Sequence, residues 1–135
     1  MKKSYLELFT LIANLNVNVK DGKTKGQKKL QKIAEKVKPL LDGYNEKVEE
    51  IRLDCASVDS DGNLILDEKG GYKFSKENIK KLGKESRALN EEEFEVEVIQ
   101  VNNPEGLEDY TFLEGWTNGI KFNKKEIKQE EDVEL

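Results

Sequence analysis

The chain has no histidine, a single cysteine, two prolines and one tryptophan among its 135 residues. Lacking histidine removes the commonest general base, the commonest protein metal ligand and every Ser–His or Cys–His nucleophile pair. Cys55 alone excludes an intramolecular disulfide and a zinc site, and its place on an apolar helical stripe reads as a small buried hydrophobe in a reducing compartment. No run approaches the ~20 apolar residues that span a bilayer. Lys2 and Lys3 precede Tyr5 to Leu15, but Glu7, Thr10 and Asn14 interrupt that stretch and no small-residue cleavage site follows, so it does not read as a signal peptide. No glycine-rich loop has phosphate-cradling spacing, and no internal repeat is evident. The expectation is a soluble, cytoplasmic protein that is not an enzyme and holds no cofactor.

What is present is charge, unevenly placed. Hydrophobic residues make up 36% of the chain and charged ones 38%, so the core is thin and suits helices over a small sheet better than a doubly wound one. The 28 acids and 23 bases leave a formal charge of −5, which argues against a general nucleic-acid coat. Yet Lys20 to Lys38 holds eight lysines against Asp21 and Glu35, a local +6 that leaves −11 for the remainder.

The longest apolar period runs from Thr24 to Ala56. Leu30, Ile33, Val37, Leu40, Tyr44, Val48, Ile51 and Cys55 follow steps of three and four, one stripe of an amphipathic helix. Thr24 with Gln27 forms a capping box that starts this helix near Lys25. Pro39 inside the pattern predicts a kink or a division into two helices, with Gly43 loosening the next turn. Ser4 with Glu7 caps a shorter helix from Tyr5 to about Leu15, after which Asn16-Val17-Asn18-Val19 alternates as a connection into the Asp21-Gly22 turn. The two helices fold back as a hairpin.

Beyond it, Leu64-Ile65-Leu66 and Tyr72-Lys73-Phe74 read as short strands around the loop from Asp67 to Gly71. Ser75 caps a third helix to about Leu89, with Ile79, Leu82 and Leu89 inward. Phe94 to Val101 alternates as a continuous strand with one wet face. Leu107 to Phe122 is ambiguous: Tyr110, Phe112 and Leu113 fit a strand or a helix turn, with a strand preferred, and Asn118-Gly119 before Ile120-Lys121-Phe122 favours a hairpin. The predicted fold is α+β: an N-terminal helical hairpin of a short and a long, Pro-kinked helix, packed with a small antiparallel sheet and a third helix. Residues 1–122 form one domain, and 123–135 a charged tail read as frayed or disordered.

Three surfaces carry candidate functions. Lys25, Lys28, Lys29, Lys32 and Lys36, with Lys38 nearby, can neutralise phosphates of RNA or DNA, or simply form a solvated helix face. No aromatic is interleaved among them to stack bases. Glu91, Glu93, Glu95 and Glu97, with Glu92, place a negative ridge on the wet face of the strand. Such a ridge imitates a phosphate backbone to a basic channel, or keeps an edge strand from aggregating. Tyr110 and Trp116, with Phe112 and Phe122, form an aromatic patch, either core or an interface hot spot.

Ser57 to Glu68 resembles the twelve-residue EF-hand calcium loop, with Asp59 and Asp61 at positions three and five, Gly62 at six and Glu68 at twelve. Ser57 replaces the first acidic ligand, and a hairpin is expected where that family has its exiting helix. The alternative is an Asx turn leading into a strand.

The order of a short leading helix, a lysine-rich helix, Asp59-Ser60-Asp61-Gly62-Asn63, a Gly-Gly-Tyr-Lys-Phe return at Gly70–Phe74, and Leu89-Asn90-Glu91-Glu92-Glu93 opening a strand resembles a family of small phage and prophage proteins. The resemblance reaches to about Val101 and implies a phage origin, with no site to carry over. Phage proteins of this size serve mostly as virion parts or chaperones, or as inhibitors of host defence, anti-CRISPR proteins among them. The expected partner is a host protein, an RNA-guided nuclease or its guide RNA, with no membrane, in the bacterial cytoplasm. The expected state is a monomer or small homo-oligomer.

Overall fold

The computed structural model describes residues 1–123. The elements run β1 (Lys2–Ser4), α1 (Tyr5–Val19), α2 (Lys25–Cys55), α3 (Lys76–Glu91), β2 (Glu93–Glu95), β3 (Ile99–Gln100), a 3₁₀ turn (Thr111–Leu113) and β4 (Thr117–Asn118). The class is α+β, with a helical hairpin at the start. The tail expected at 123–135 lies, apart from Asn123, outside the described residues.

Both capping boxes close as the sequence requires. Glu7 N donates to Ser4 Oγ at 3.2 Å and Ser4 N to Glu7 Oε1 at 2.9 Å, while Gln27 N donates to Thr24 Oγ1 at 3.0 Å and Thr24 N to Gln27 Oε1 at 3.1 Å. Helix α1 does not stop at Leu15 but continues through Asn16–Val19. The carboxamides of Asn14 and Asn18 donate four residues back to the carbonyls of Thr10 and Asn14, at 3.0 and 2.8 Å, which suits a helix rather than a turn. It ends at Lys20, whose φ is 50°.

Helix α2 is one continuous helix through Pro39, not two. At 31 residues it is ~46 Å long, about twice α1. Its stripe therefore has two partners. Leu30, Ile33 and Val37 are buried with Leu8, Leu11 and Leu15 of α1, while the half-buried Val48 and Ile51 lie farther along, where α3 covers the seam. That packing on both sides holds the helix despite the hydrogen bond Pro39 cannot make. Tyr5 joins the layers: its ring stacks on Phe94 at 4.4 Å and tilts against Tyr44 at 5.1 Å. Tyr44 Oη in turn donates to Asn90 Oδ1 of α3 at 2.6 Å. On α3, Leu89 is buried and Leu82 half-buried, but Ile79 is 55% exposed and does not face the core.

The strand expected over Phe94–Val101 divides in two. Phe94 and Val96 point inward, then the phase slips at Glu97-Val98, and Ile99 and Val101 point inward again. Val98 is left 40% exposed at the slip. The first half, β2, pairs antiparallel with β1 in the register Lys3↔Phe94; the second, β3, pairs parallel with β4 in the register Ile99↔Thr117. The expected hairpin does not form, since Ile120–Phe122 pair with no strand among the described residues; within Leu107–Phe122 only Thr117–Asn118 is a strand, and Thr111–Leu113 takes the helical-turn alternative. The segment coils instead through successive three-residue turns: Tyr110 N to Leu107 O, Leu113 N to Tyr110 O and Trp116 N to Leu113 O, at 3.0, 3.1 and 3.0 Å.

Between α2 and α3 the chain does contain a repeat. Ser57–Leu64 and Ile65–Tyr72 are successive octads. In each, the aspartate accepts from two turn amides: Asp59 Oδ1 from Asp61 N and Asn63 N, Asp67 Oδ1 from Lys69 N and Gly71 N, all at 2.8–3.0 Å. Gly62 and Gly70 take the same left-handed turn, with φ of 84° and 82°. Val58 bridges Leu64 as Leu66 bridges Tyr72. Ser57, Ile65 and Lys73, eight residues apart, close a ring of backbone bonds: Ile65 N to Ser57 O, Lys73 N to Ile65 O and Ser57 N to Lys73 O, at 3.0, 3.2 and 2.8 Å.

Candidate nucleic-acid and partner interface

The first turn of α2 is clamped by the 104–107 turn. Gly26 and Gly106 meet backbone to backbone, since a Cβ on Gly26 would stand 2.4 Å from Gly106 O. This close approach lets Lys29 Nζ donate to Glu105 O and places Lys25 Nζ 3.5 Å from Glu105 Oε1. The Lys25–Glu105 pair is more than half exposed on both sides and contributes little to stability.

The five expected lysines do not act as one face. Lys29, Lys32 and Lys36 line a cleft of about 420 Å³ between α2 and the strand–turn segment that follows β2. Opposite them stand Gln100, Asn102 and Asn103, over a floor that includes Ile33 and Leu107. Lys25 and Lys28 lie outside the cleft. In sequence Asn102-Asn103 before Pro104 has the composition of a turn, and a turn signal and a binding rim use the same residue types.

The acidic ridge is also divided. Glu95 and Glu97 line a second groove with Lys36 and Pro39, next to the lysine cleft. Glu93 lies opposite Ser4 in the β1–β2 register, exposed. Glu91 belongs elsewhere: with Lys47, Glu50, Glu85 and Glu92 it lines an open groove between α2 and α3. Neither Lys36 nor Glu97 forms an ion pair among the described residues.

Of the aromatic candidates, Trp116 is core. It is 5% exposed, with Lys3 Nζ 4.9 Å from its ring centroid, so it offers no surface anchor. Tyr110 is half-buried, 5.9 Å from Phe112 and against the Gly26 turn. Neither lines the lysine cleft or the acidic groove.

The Ser57–Glu68 segment is not a helix–loop–helix. Its Asp59 carboxylate is the centre of an Asx turn, and Glu68 sits in the second octad, with the next helix starting only at Lys76. The EF-hand likeness is therefore overturned in geometry, and the Asx turn leading into a strand-like return is what forms. Among the described residues no cluster of three or more Cys, Asp or Glu side chains could hold a metal ion.

Among the described residues, Cys55 and Lys47 of α2 and Tyr72 of the second octad have displaced proton affinities. The Cys55 thiol is pushed up by burial and by Glu85, whose Oε2 accepts from Sγ at 3.6 Å. Tyr72 is pushed up by its hydrogen bond to Glu49 Oε1, at 2.6 Å. Lys47 is pushed up by the Tyr5 side chain and, against desolvation, by Glu92 Oε1 at 3.3 Å. The Cys55 and Lys47 contacts belong to the helix packing, and that of Tyr72 ties the octad segment to α2.

No family model, curated protein or solved structure matches this chain. Among the described residues no helix is long and apolar enough to cross a membrane.

Proposed function

We propose that this chain is a non-enzymatic, phage-encoded interaction protein of the anti-CRISPR type, which inhibits a host defence nuclease by binding the effector or its guide RNA through charged surfaces. One observation supports this reading above the others. The lysine cleft and the groove holding Glu95 and Glu97 adjoin along α2 and share Lys36. An RNA-loaded nuclease presents both a polyanion and a basic channel, and a surface carrying both charges side by side complements it. The lack of histidine and the resemblance to phage proteins add to the same reading.

The test is affinity capture from a host lysate with protein and RNA partners both identified. Recovery of a nuclease or its guide RNA supports the proposal; recovery of tail or capsid proteins alone ends it. A second reading, a virion-assembly accessory, is favoured by one feature. The octad segment exposes Val58 at 54%, Leu64 at 39%, Ile65 at 37% and Leu66 at 50%, apolar area that self-association would bury. Large oligomers in light scattering would select it.

A further inference from the structure

Resting on the proposed reading, we infer that the cleft between α2 and β3 is a binding site for single-stranded RNA. In it Lys29, Lys32 and Lys36 neutralise successive phosphates, while Gln100, Asn102 and Asn103 bond the sugar and base edges.

The spacing carries the first part. The three lysines stand at i, i+3 and i+7, so they climb one helix face with rises of ~4.5 and ~6 Å. A row of cations on one rim follows a strand of phosphodiesters rather than an isolated anion. Lys32 and Lys36 have no ion-pair partner among the described residues. Lys29 Nζ donates to Glu105 O, which holds its ammonium at the cleft edge with two further donors for a phosphate.

The opposite rim carries the second part. Carboxamides both donate and accept. They match the 2′-hydroxyl and base edges of a ribonucleotide, which an acidic peptide lacks. A volume of about 420 Å³ has the scale of a nucleotide. No aromatic ring lines the cleft, so affinity comes from phosphates and hydrogen bonds, and sequence preference is slight.

Fluorescence anisotropy with a labelled, mixed-sequence twelve-nucleotide RNA, titrated across salt, tests the site on the full chain. Lys32→Gln and Lys36→Gln are each expected to weaken binding several-fold and to lower the slope of log K against log salt by about 0.7. Asn102→Ala with Asn103→Ala should bring RNA affinity down toward that of the same DNA sequence, which binds more weakly from the start. Lys28→Gln, outside the cleft, should change affinity less than twofold. All these side chains are exposed, and circular dichroism checks that each variant is folded. Equal losses for Lys28→Gln and Lys32→Gln would mean a diffuse charged face and overturn the site, as would polyglutamate competing as well as RNA or DNA binding as tightly. Absence of RNA binding in a chain that still captures a host nuclease would overturn the cleft and leave the inhibitor reading standing; RNA binding at the cleft without nuclease capture would do the reverse.

Discussion

Gly26 and Gly106 touch through their backbones. A methyl on Gly26 would lie 2.4 Å from Gly106 O and 3.2 Å from the Tyr110 ring. That contact holds the 104–107 turn, with Glu105, against the lysine end of α2, while the pairing of β3 with β4 holds the chain just before Asn102 and Asn103. Gly26→Ala is expected to destabilise the protein by about 2 kcal/mol through overpacking and to move the 104–107 turn away from the helix. Gly43→Ala is the matched control, because nothing lies within 4 Å of its added Cβ. It should stabilise by roughly 0.5–1 kcal/mol. Urea denaturation of both variants gives the opposite signs directly.

The octad repeat predicts matched effects at positions eight apart. Asp59→Ala removes the acceptor of the Asp61 and Asn63 amides, and Asp67→Ala that of the Lys69 and Gly71 amides. Each should raise hydrogen exchange at its own two amides by roughly tenfold, with the other octad changing less. Loss of protection in both octads from either variant would show that the ring closes cooperatively.

Burial and Glu85 both raise the Cys55 thiol above its ordinary range. A thiol that holds its proton more tightly when folded contributes stability fully present below about pH 8.5, where the unfolded thiol is still protonated. That contribution is lost as pH rises through the folded value. Alkylation by iodoacetamide at pH 8 should therefore be slow in the native protein and fast in urea. Glu85→Gln removes the negative neighbour and should quicken native alkylation relative to the parent.

Trp116, at 5% exposure, should emit at short wavelength and resist acrylamide. Lys3 Nζ lies 4.9 Å from its ring centroid, and Lys3→Met is expected to shift the emission while leaving quenching low. Strong quenching of the native parent would return Trp116 to the surface.

Pro39 interrupts the hydrogen-bond ladder of an otherwise continuous helix and is itself exposed. Pro39→Ala restores that bond at little packing cost and should stabilise by of order 1–2 kcal/mol. Thermal unfolding measures it.

The helices were legible because their causes are local. Caps, stripe and boundaries at Ser4, Thr24 and Ser75 lie within a few residues of one another, and only the end of α1 was misplaced, by an Asn-Val alternation that imitates a strand. The strands were hidden because their partners are distant: Lys3 pairs with Phe94, and nothing in Lys2-Lys3-Ser4 announces it. Leu107, Tyr110, Leu113 and Trp116 recur every third residue, a 3₁₀ spacing that matches neither the strand period nor the α-helical one. The octads escaped notice because they share only Asp59 with Asp67, Gly62 with Gly70, and apolar flanks, while Ser60 faces Glu68 and Asp61 faces Lys69. The cleft was half legible. Its lysines stood out as a charge run, but the carboxamide rim comes from a distant segment that β3–β4 pairing and the Gly26–Gly106 contact bring to α2.

The ring through Ser57, Ile65 and Lys73 folds the link between α2 and α3 back on itself, closing it by three backbone hydrogen bonds. Three closed hydrogen bonds act as a ruler that counts residues in eights, tolerant of side-chain change at the tips and intolerant of a one-residue insertion. A spectroscopic label on Ser60 or Glu68 would consequently tumble with the helix pair, and report the orientation of the whole molecule on whatever it docks to.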